Sequence, residues 1–174
     1  MSNVERNIVL IGFMGAGKTT VGKELSRLLD LRFVDLDQAI EEEANQSIQS
    51  IFKTEGETGF RRRERALFHT LSKQTNMIFS LGGGAFLQED IQHACLRDSL
   101  VIFLDIDFSI WAERIPLLQK DRPLLQEKSL EDMKELYTSR KQSYSKAHLI
   151  IQTGRLTPPQ TAEKIAKTIH HAKA

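Results

Sequence analysis

Eight consecutive residues near the start of the chain, Gly12 to Thr19, read G-F-M-G-A-G-K-T and fit the pattern G-x-x-x-x-G-K-S/T. In this pattern the glycines let successive backbone N–H groups turn inward towards a phosphate, and the helix that follows adds its partial positive charge. The lysine, here Lys18, can bridge the outer phosphates of a nucleotide, and the hydroxyl of Thr19 can ligate Mg²⁺. An apolar run precedes the pattern and a segment with helical spacing follows it, as the motif requires. These residues predict a site for a nucleoside triphosphate.

The sequence also indicates which class of nucleotide-binding protein this is. The N-K-x-D element that gives GTPases their base specificity is absent from the 174 residues, and no long domain is available to couple nucleotide hydrolysis to movement. A small transferase that uses a nucleoside triphosphate is therefore the favoured class.

Two carboxylates stand at the end of the second predicted strand, in Asp35-Leu36-Asp37. If the strand continues through them, its period of two places both side chains on the same side. One carboxylate could then support a metal ion and the other could orient the hydroxyl of an acceptor. The alternative is that an aspartate here only caps a helix.

Glycines and arginines supply the remaining candidates. Three consecutive glycines, Gly82–Gly84, follow the third predicted strand, and their cost in backbone entropy is explained if a ligand approaches too closely for side chains. The basic run around Arg61 is not predicted to bind nucleic acid, because neighbouring helical residues point about 100° apart. Arg61 with Glu64 three residues later is the pair of interest, since a carboxylate can hold a guanidinium ready for an anionic substrate.

Two further arginines that are candidate site residues lie in the second half of the chain. The segment Pro116 to Lys128 has no clear strand or helix pattern, and we predict a mobile loop over the site. Arg122 in this loop could reach in and neutralise charge on the transferred group. A helical segment that begins near Ser129 carries Arg140 and Tyr144 on one face, from which Arg140 could reach an acceptor carboxylate.

The order of the elements predicts the fold. Short apolar runs alternate about five times with segments of helical period, which favours an α/β domain with a parallel sheet covered on both faces. Ligands of such sheets bind where the strands end. The strands are predicted at Asn7–Ile11, Arg32–Leu36, Met77–Leu81, Leu100–Leu104 and His148–Ile151.

Composition limits the remaining function classes. The 24 lysines and arginines nearly balance 23 aspartates and glutamates, so a net charge of +1 provides no global field for nucleic acid or an anionic membrane. A single cysteine, Cys95, cannot form an intramolecular disulfide and is predicted to be a buried small residue. The apolar run before Lys18 has the length of a signal-peptide core, but Glu5 and the glycines within it argue against export. No stretch reaches the roughly 18 apolar residues that span a bilayer.

Taken in order, these motifs resemble those of the shikimate kinases. The resemblance covers about residues 7 to 170 and rests on G-F-M-G-A-G-K-T-T-V-G, F-V-D-L-D, I-F-x-x-x-G-E-x-x-F-R-x-x-E, S-L-G-G-G, R-P-L-L and a late R-x-x-x-Y. It implies a three-layer fold like that of the nucleoside monophosphate kinases, with five parallel strands in the order 2-3-1-4-5 and a mobile lid. It also implies transfer of the γ-phosphate of ATP to the 3-hydroxyl of shikimate, with Mg²⁺, on the pathway to chorismate and the aromatic amino acids.

The resemblance further implies how the chain is organised and where it works. Residues 1–174 would form one kinase domain, with a helical region at about 36–64 that binds the acceptor and a lid at about 114–128. The enzyme would be cytoplasmic and usually monomeric, with ATP and shikimate as its partners and neither nucleic acid nor a membrane among them.

The same resemblance assigns roles by position. Gly15, Ala16, Gly17, Lys18, Thr19 and Thr20 would wrap the phosphates. Lys18 would be catalytic, Thr19 would ligate Mg²⁺, and Asp35 would support the metal through water. Asp37 would meet the ring hydroxyls, as a candidate base, and Arg122 would be the lid arginine on the phosphates. Arg61, Gly83 and Arg140 would bind shikimate, and the two arginines would take its carboxylate.

Two alternatives stay open at this point. A related small-molecule kinase, such as a gluconate kinase, would use the same residues, because Asp37, Arg61 and Arg140 specify a carboxylated polyol but not its ring. A nucleotide-binding module without catalysis is the other alternative. It has no use for a second carboxylate or a lid arginine.

Overall fold

The computed structural model describes residues 6–118 and 127–172. Its strands are β1 (Asn7–Ile11), β2 (Arg32–Asp35), β3 (Met77–Ser80), β4 (Ser99–Asp105) and β5 (Leu149–Gln152). The helices are α1 (Lys18–Leu29), α2 (Leu36–Ala44), α3 (Ile48–Leu71), α4 (Glu89–Asp98), α5 (Phe108–Glu113), α6 (Ile115–Leu118), α7 (Leu130–Tyr144) and α8 (Pro158–Ala172), and a 3₁₀ turn spans Ala85–Leu87.

All strand pairs of the sheet are parallel, and the strand order is β2-β3-β1-β4-β5. This confirms the predicted five-stranded parallel sheet in the order 2-3-1-4-5. In register, Leu10 of the central strand lies between Ser80 of β3 and Ile102 of β4. The carboxyl ends of the strands therefore meet at one edge, where the phosphate-binding pattern and the glycine segment both begin.

The sheet is buried on both faces, which explains why its central strand is a continuous apolar run. Val9 and Ile11 pack into one core with α3 and α4, whereas Ile8 and Leu10 pack into another with α1 and α8. The predicted burial of Cys95 is confirmed: its side chain lies in the first of these cores.

A third apolar cluster lies beyond the carboxyl edge and joins the phosphate-binding segment to α5 and α7. It contains Phe13, Trp111 and Tyr137, whose rings meet edge to face around Phe13 at centroid distances of 5.0 and 5.4 Å. Such edge-to-face pairs stabilise a fixed arrangement of rings beyond the area that they bury. This cluster gives the phosphate-binding segment a rigid support.

Helix α3 bends at Gly56, whose φ of 70° and ψ of −177° belong to a region that only glycine adopts readily. The bend is bridged by Arg63, which donates to both oxygens of Glu55 on the other side of it and also meets Glu43 on α2. These pairs hold the two halves of α3 and the end of α2 together.

The start of the predicted loop over the site is helical. The segment from Pro116 onwards was expected to lack helix, yet Ile115–Leu118 form a helical turn. Pro116 is tolerated there because the first turn of a helix needs no backbone N–H donor. Residues 119–126 of the predicted lid, which include Arg122, lie outside the described residues.

The helix predicted from near Ser129 is confirmed as α7. The Ser129 side chain accepts from the Asp132 N–H, and the Asp132 side chain accepts from the Ser129 N–H.

Within residues 6–118 and 127–172, no helix combines the length and the apolar character needed to cross a bilayer.

Candidate active site

The phosphate-binding segment joins β1 to α1 and curls around the Lys18 ammonium. Gly17 caps α1 with a φ of 96°, in the left-handed region that favours glycine, so the helix can begin directly at Lys18. The Lys18 Nζ donates to the carbonyl oxygens of Gly12 and Phe13 at 2.8 and 3.2 Å. The cation therefore lies inside the loop, where the predicted phosphates would be.

Side chains from α5, from α6 and from the residue between these helices contact the phosphate-binding loop. The Trp111 indole N–H donates to the Met14 carbonyl at 2.7 Å, and Arg114 donates to the Gly15 carbonyl at 3.1 Å. Leu118 packs so closely on Gly15 that a Cβ there would come within 2.7 Å of it. The large apolar residues inside a glycine-rich pattern, Phe13 and Met14, were the available signal that a separate core supports the loop.

Asp35 and Thr19 are brought together across the cleft. The Thr19 hydroxyl donates to Asp35 Oδ2 at 2.6 Å, while Asp35 Oδ1 accepts from the backbone N–H of Gln38. Asp35 is both the last residue of β2 and the N-cap of α2. One of its oxygens thus caps a helix and the other faces the threonine predicted to ligate metal.

The structure corrects the strand argument for the two carboxylates. Strand β2 was predicted to extend to Leu36, and Asp37 was placed on the same strand as Asp35, but Leu36 begins α2 and Asp37 lies in its first turn. The reason is that the cap at Asp35 allows the helix to start at once. Both carboxylates nevertheless line one cavity, and a Cβ on Gly82 would come within 2.7 Å of Asp37 Oδ1.

Most of the predicted phosphate and metal residues surround that cavity of about 230 Å³. Its walls include Gly15, Gly17, Lys18, Thr19, Thr20, Asp35, Asp37 and Gly83. Ala16 is not among them, because its side chain is buried in the third apolar cluster and its N–H donates to Phe13.

A second cavity of about 510 Å³ is lined by Arg61, Gly84, Gln88 and Arg140. The Gly83–Gly84 backbone runs between the two guanidinium groups. A Cβ on Gly83 would come within 2.6 Å of Arg140 Nη1, and one on Gly84 would overlap the guanidinium of Arg61. A side chain at either glycine would therefore force an arginine guanidinium to shift from its present position.

Arg61 is held in this position by a buried carboxylate. Its Nη1 donates to Glu64 Oε1 at 2.7 Å, as the spacing of three predicted, and its guanidinium also lies over the Phe60 ring. Glu64 has no solvent exposure, and this burial raises the pKa of its carboxyl against the opposing effect of Arg61. The bond to Arg61 therefore depends on keeping a buried group ionised.

Arg140 and the glycine segment are positioned from α7. The Tyr144 hydroxyl, one turn after Arg140, donates to the Gly83 carbonyl at 2.6 Å, and burial raises the pKa of Tyr144 to about 12. Lys141 meets buried Asp105 at 3.1 Å, which fixes α7 against the end of β4. Arg140 Nε is buried without a hydrogen-bond partner among the described residues.

Sequence reasoning missed Trp111, Asp105 and Gln88. Asp105 ends the fourth apolar run, and a charge directly after a buried strand was a usable signal for it. The tryptophan and the glutamine carried no such signal, since each acts on a residue far away in the chain.

Comparisons with known proteins agree with this geometry. The shikimate kinase family model matches residues 14–170. A shikimate kinase of Geobacillus kaustophilus is 44% identical over 167 residues, covering 95% of this chain and 89% of that protein. The Bacillus subtilis shikimate kinase is 42% identical over 166 residues, covering 95% and 89%.

Among solved structures, the shikimate kinase of Acinetobacter baumannii in complex with shikimate superposes with a TM-score of 0.89. It is 35% identical and covers 97% of this chain and 94% of its own. Since the family model, the relatives and the superposition each span most of the chain, the protein belongs to the shikimate kinase family.

Proposed function

We propose that this chain transfers the γ-phosphoryl group of ATP to the 3-hydroxyl of shikimate, giving shikimate 3-phosphate and ADP. The observation that supports this best is the position of Arg61 and Arg140 on either side of Gly83–Gly84, next to the cavity that holds Asp37 and Lys18. Two arginines that can bind a carboxylate, and an aspartate that can accept a hydrogen bond from a hydroxyl, thus lie beside the phosphate-binding loop. This arrangement suits a carboxylated polyol as the phosphoryl acceptor.

Lys18 would act on the phosphates. The Lys18 ammonium donates to two loop carbonyls. When a triphosphate binds, its negatively charged oxygens can replace those carbonyls as acceptors. Charge-assisted hydrogen bonds of this kind are stronger than those to neutral carbonyls. The backbone of Gly15 to Thr20 would surround the same phosphates, and Arg122 is proposed as the lid arginine that neutralises their charge.

The residues present fit a magnesium ion. Mg²⁺ prefers oxygen ligands and is usually held by one or two carboxylates together with substrate phosphates. Thr19 and Asp35 supply a hydroxyl and a carboxylate joined by a 2.6 Å hydrogen bond, and we propose that they hold the ion, Asp35 through water. Bound there, the ion would offset the charge of the phosphates during transfer.

Asp37 is the candidate base for the acceptor. In the reaction a bond forms between the 3-oxygen of shikimate and the γ-phosphorus, and the bond from that phosphorus to the bridging oxygen of ADP breaks. The hydroxyl proton would pass to Asp37 and then to solvent. The rest of the catalytic effect would come from holding both substrates in line.

Arg61 and Arg140 would bind the carboxylate of shikimate, with the Gly83 backbone beside it. An arginine fork can donate two parallel hydrogen bonds to a carboxylate, which fixes the ring as well as attracting its charge. This orientation would bring the 3-hydroxyl towards Asp37.

Release of ADP from Mg-ATP, measured with shikimate, quinate, gluconate and nucleoside monophosphates in turn, tests this function. We expect stimulation by shikimate above all others. Stimulation by gluconate instead would favour the related sugar-acid kinase, and no stimulation by any acceptor would favour a binding module.

We also propose a single kinase domain, with its acceptor region at about 36–64, that works as a cytoplasmic monomer and does not bind nucleic acid. The arginines of the basic run support the last point, because Arg61, Arg63 and Arg65 each lie near a carboxylate of the protein. Light scattering on the purified protein tests the monomer, and a mass of two chains would contradict it.

A further inference from the structure

The geometry points to Gln88 as a positioning residue for acceptor binding, which acts through Glu64 to hold the Arg61 guanidinium towards the acceptor carboxylate. This inference rests on the proposed function and adds a residue to the same site. Gln88 would not itself have to contact the reacting atoms.

The contacts form a short chain. Gln88 Nε2 donates to Glu64 Oε1 at 2.5 Å, and Arg61 Nη1 donates to that same oxygen at 2.7 Å. The other oxygen, Glu64 Oε2, is buried and has no hydrogen-bond partner among the described residues. The two donors on Oε1 therefore provide the hydrogen bonding that this carboxylate receives from the described part of the chain.

Burial makes this hydrogen bonding important. A fully buried carboxylate is costly to keep ionised unless it is well hydrogen-bonded. For Glu64, burial raises the pKa most, while Arg61 and Gln88 lower it and Asp37 on α2 raises it. Loss of the Gln88 donor would thus favour a proton on Glu64, and a neutral Glu64 would hold Arg61 less firmly.

The position of Gln88 in the fold fits this role. Gln88 directly follows the 3₁₀ turn Ala85–Leu87, and this turn directly follows the glycine segment. The backbone N–H of Gln88 donates to the Ala85 carbonyl. It lines the cavity together with Arg61, Gly84 and Arg140. One short segment therefore brings Gly84 against the guanidinium and Gln88 against the carboxylate that holds it.

The first variant is Gln88→Met, which keeps the length of the side chain and removes its donor. We expect the shikimate dissociation constant, measured by calorimetry, to rise about 5- to 10-fold. The lost hydrogen bond is to the Glu64 carboxylate, which acts on the ligand through Arg61. The KM for ATP and the turnover number should change little.

The second variant, Gln88→Glu, gives a readout that a purely structural role would not move. Two carboxyl groups this close share a proton, so the variant should bind shikimate well at low pH and worse as the pH rises. The native protein should show no such loss at high pH, because the uncharged Gln88 side chain places no second carboxyl beside Glu64. The charged groups that surround the pair are the same in both proteins: Asp37 on α2, and Glu57, Arg61, Arg65 and Arg140 at the cavity. Titrations over roughly pH 6–9 keep a free carboxylate substrate ionised.

Gln92→Met is the matched control. Gln92 lies in the first turn of α4, four residues after the half-buried Gln88; it is buried and donates to the Phe86 carbonyl rather than to Glu64. This variant should lower the melting temperature and leave the shikimate dissociation constant unchanged.

The outcomes separate the two proposals. If the native protein does not phosphorylate shikimate, the proposed function is wrong and this inference is lost with it. If the native protein does so but Gln88→Met binds shikimate normally, only the role of Gln88 is wrong. Equal weakening by Gln88→Met and Gln92→Met, or a native-like pH trend in Gln88→Glu, would also overturn it.

Discussion

The Gly84→Ala substitution should weaken acceptor binding while the protein still folds. Gly84 has a φ of −98° and a ψ of −11°, which alanine adopts without strain. The obstacle is a side chain: the new Cβ would lie 2.8 Å from Arg61 Cζ and 2.9 Å from its Nη1. The Arg61 guanidinium must therefore shift from the position in which it meets Glu64 and lines the acceptor cavity.

The size of the effect follows from the contact that is lost. One hydrogen bond between charged groups contributes about 1.5–3 kcal/mol. Loss of one such bond to the acceptor carboxylate corresponds to a rise of about 10- to 150-fold in the shikimate dissociation constant. The free energy of unfolding should fall by roughly 1–3 kcal/mol, because the displaced Arg61 leaves the buried Glu64 carboxylate with one donor fewer.

Calorimetric titration with shikimate and urea denaturation measure the two effects in one preparation. Gly154→Ala is the control: Gly154 has a φ of 50° and open space around its Cβ position, so alanine there should cost about 1–2 kcal/mol of stability and leave shikimate binding intact. Normal shikimate binding by folded Gly84→Ala protein would refute the assignment of Arg61 to the acceptor.

Three further predictions concern the same cleft. Lys18→Met should lower turnover by on the order of 10²–10³-fold in an ADP-release assay, with an unchanged melting curve, because it removes the cation inside the loop; turnover near the native level would contradict this role. Tyr144→Phe should lose about 1 kcal/mol of stability and weaken shikimate binding about 5-fold, since the Gly83 carbonyl loses its donor; a denaturation curve and a shikimate titration that both match the native protein would show that this bond does not matter. Because burial raises the pKa of Glu64, kcat/KM for shikimate should fall as the pH drops through that raised pKa. The Glu64→Gln variant should lack this fall at acid pH. An identical pH profile in the variant would exclude Glu64 as the group that causes the fall.

The net charge of +1 hides an uneven distribution of charge. Arginines on the outer part of α3 are neutralised by carboxylates of the protein, as in the pairs of Arg63 with Glu55 and Glu43. Arg61, which is also paired with Glu64, and Arg140 face a cavity, and Arg140 Nε has no hydrogen-bond partner among the described residues. An anionic ligand therefore has a local reason to bind although the whole molecule provides almost no field.

Much of the fold was predictable because it depends on local patterns. The apolar run at Asn7–Ile11 requires cover on both faces, and the helical spacing after Lys18 identifies α1, which covers one of them. The boundary at Asp35 was not predictable, because the same residue can end a strand or cap a helix. Only the hydrogen bond from Gln38 decided between the two.

For the site, the sequence by itself determined which chemical groups are available: a loop that binds phosphates, a carboxylate pair, and arginines suited to a carboxylate. These follow from residue types within a few positions of one another. The tertiary structure decided how the groups are held, because Gln88 and Glu64 are 24 residues apart and Trp111 and Met14 are 97 apart. Contacts over such distances depend on the packing of the whole sheet and its helices, and no local pattern of residues specifies them.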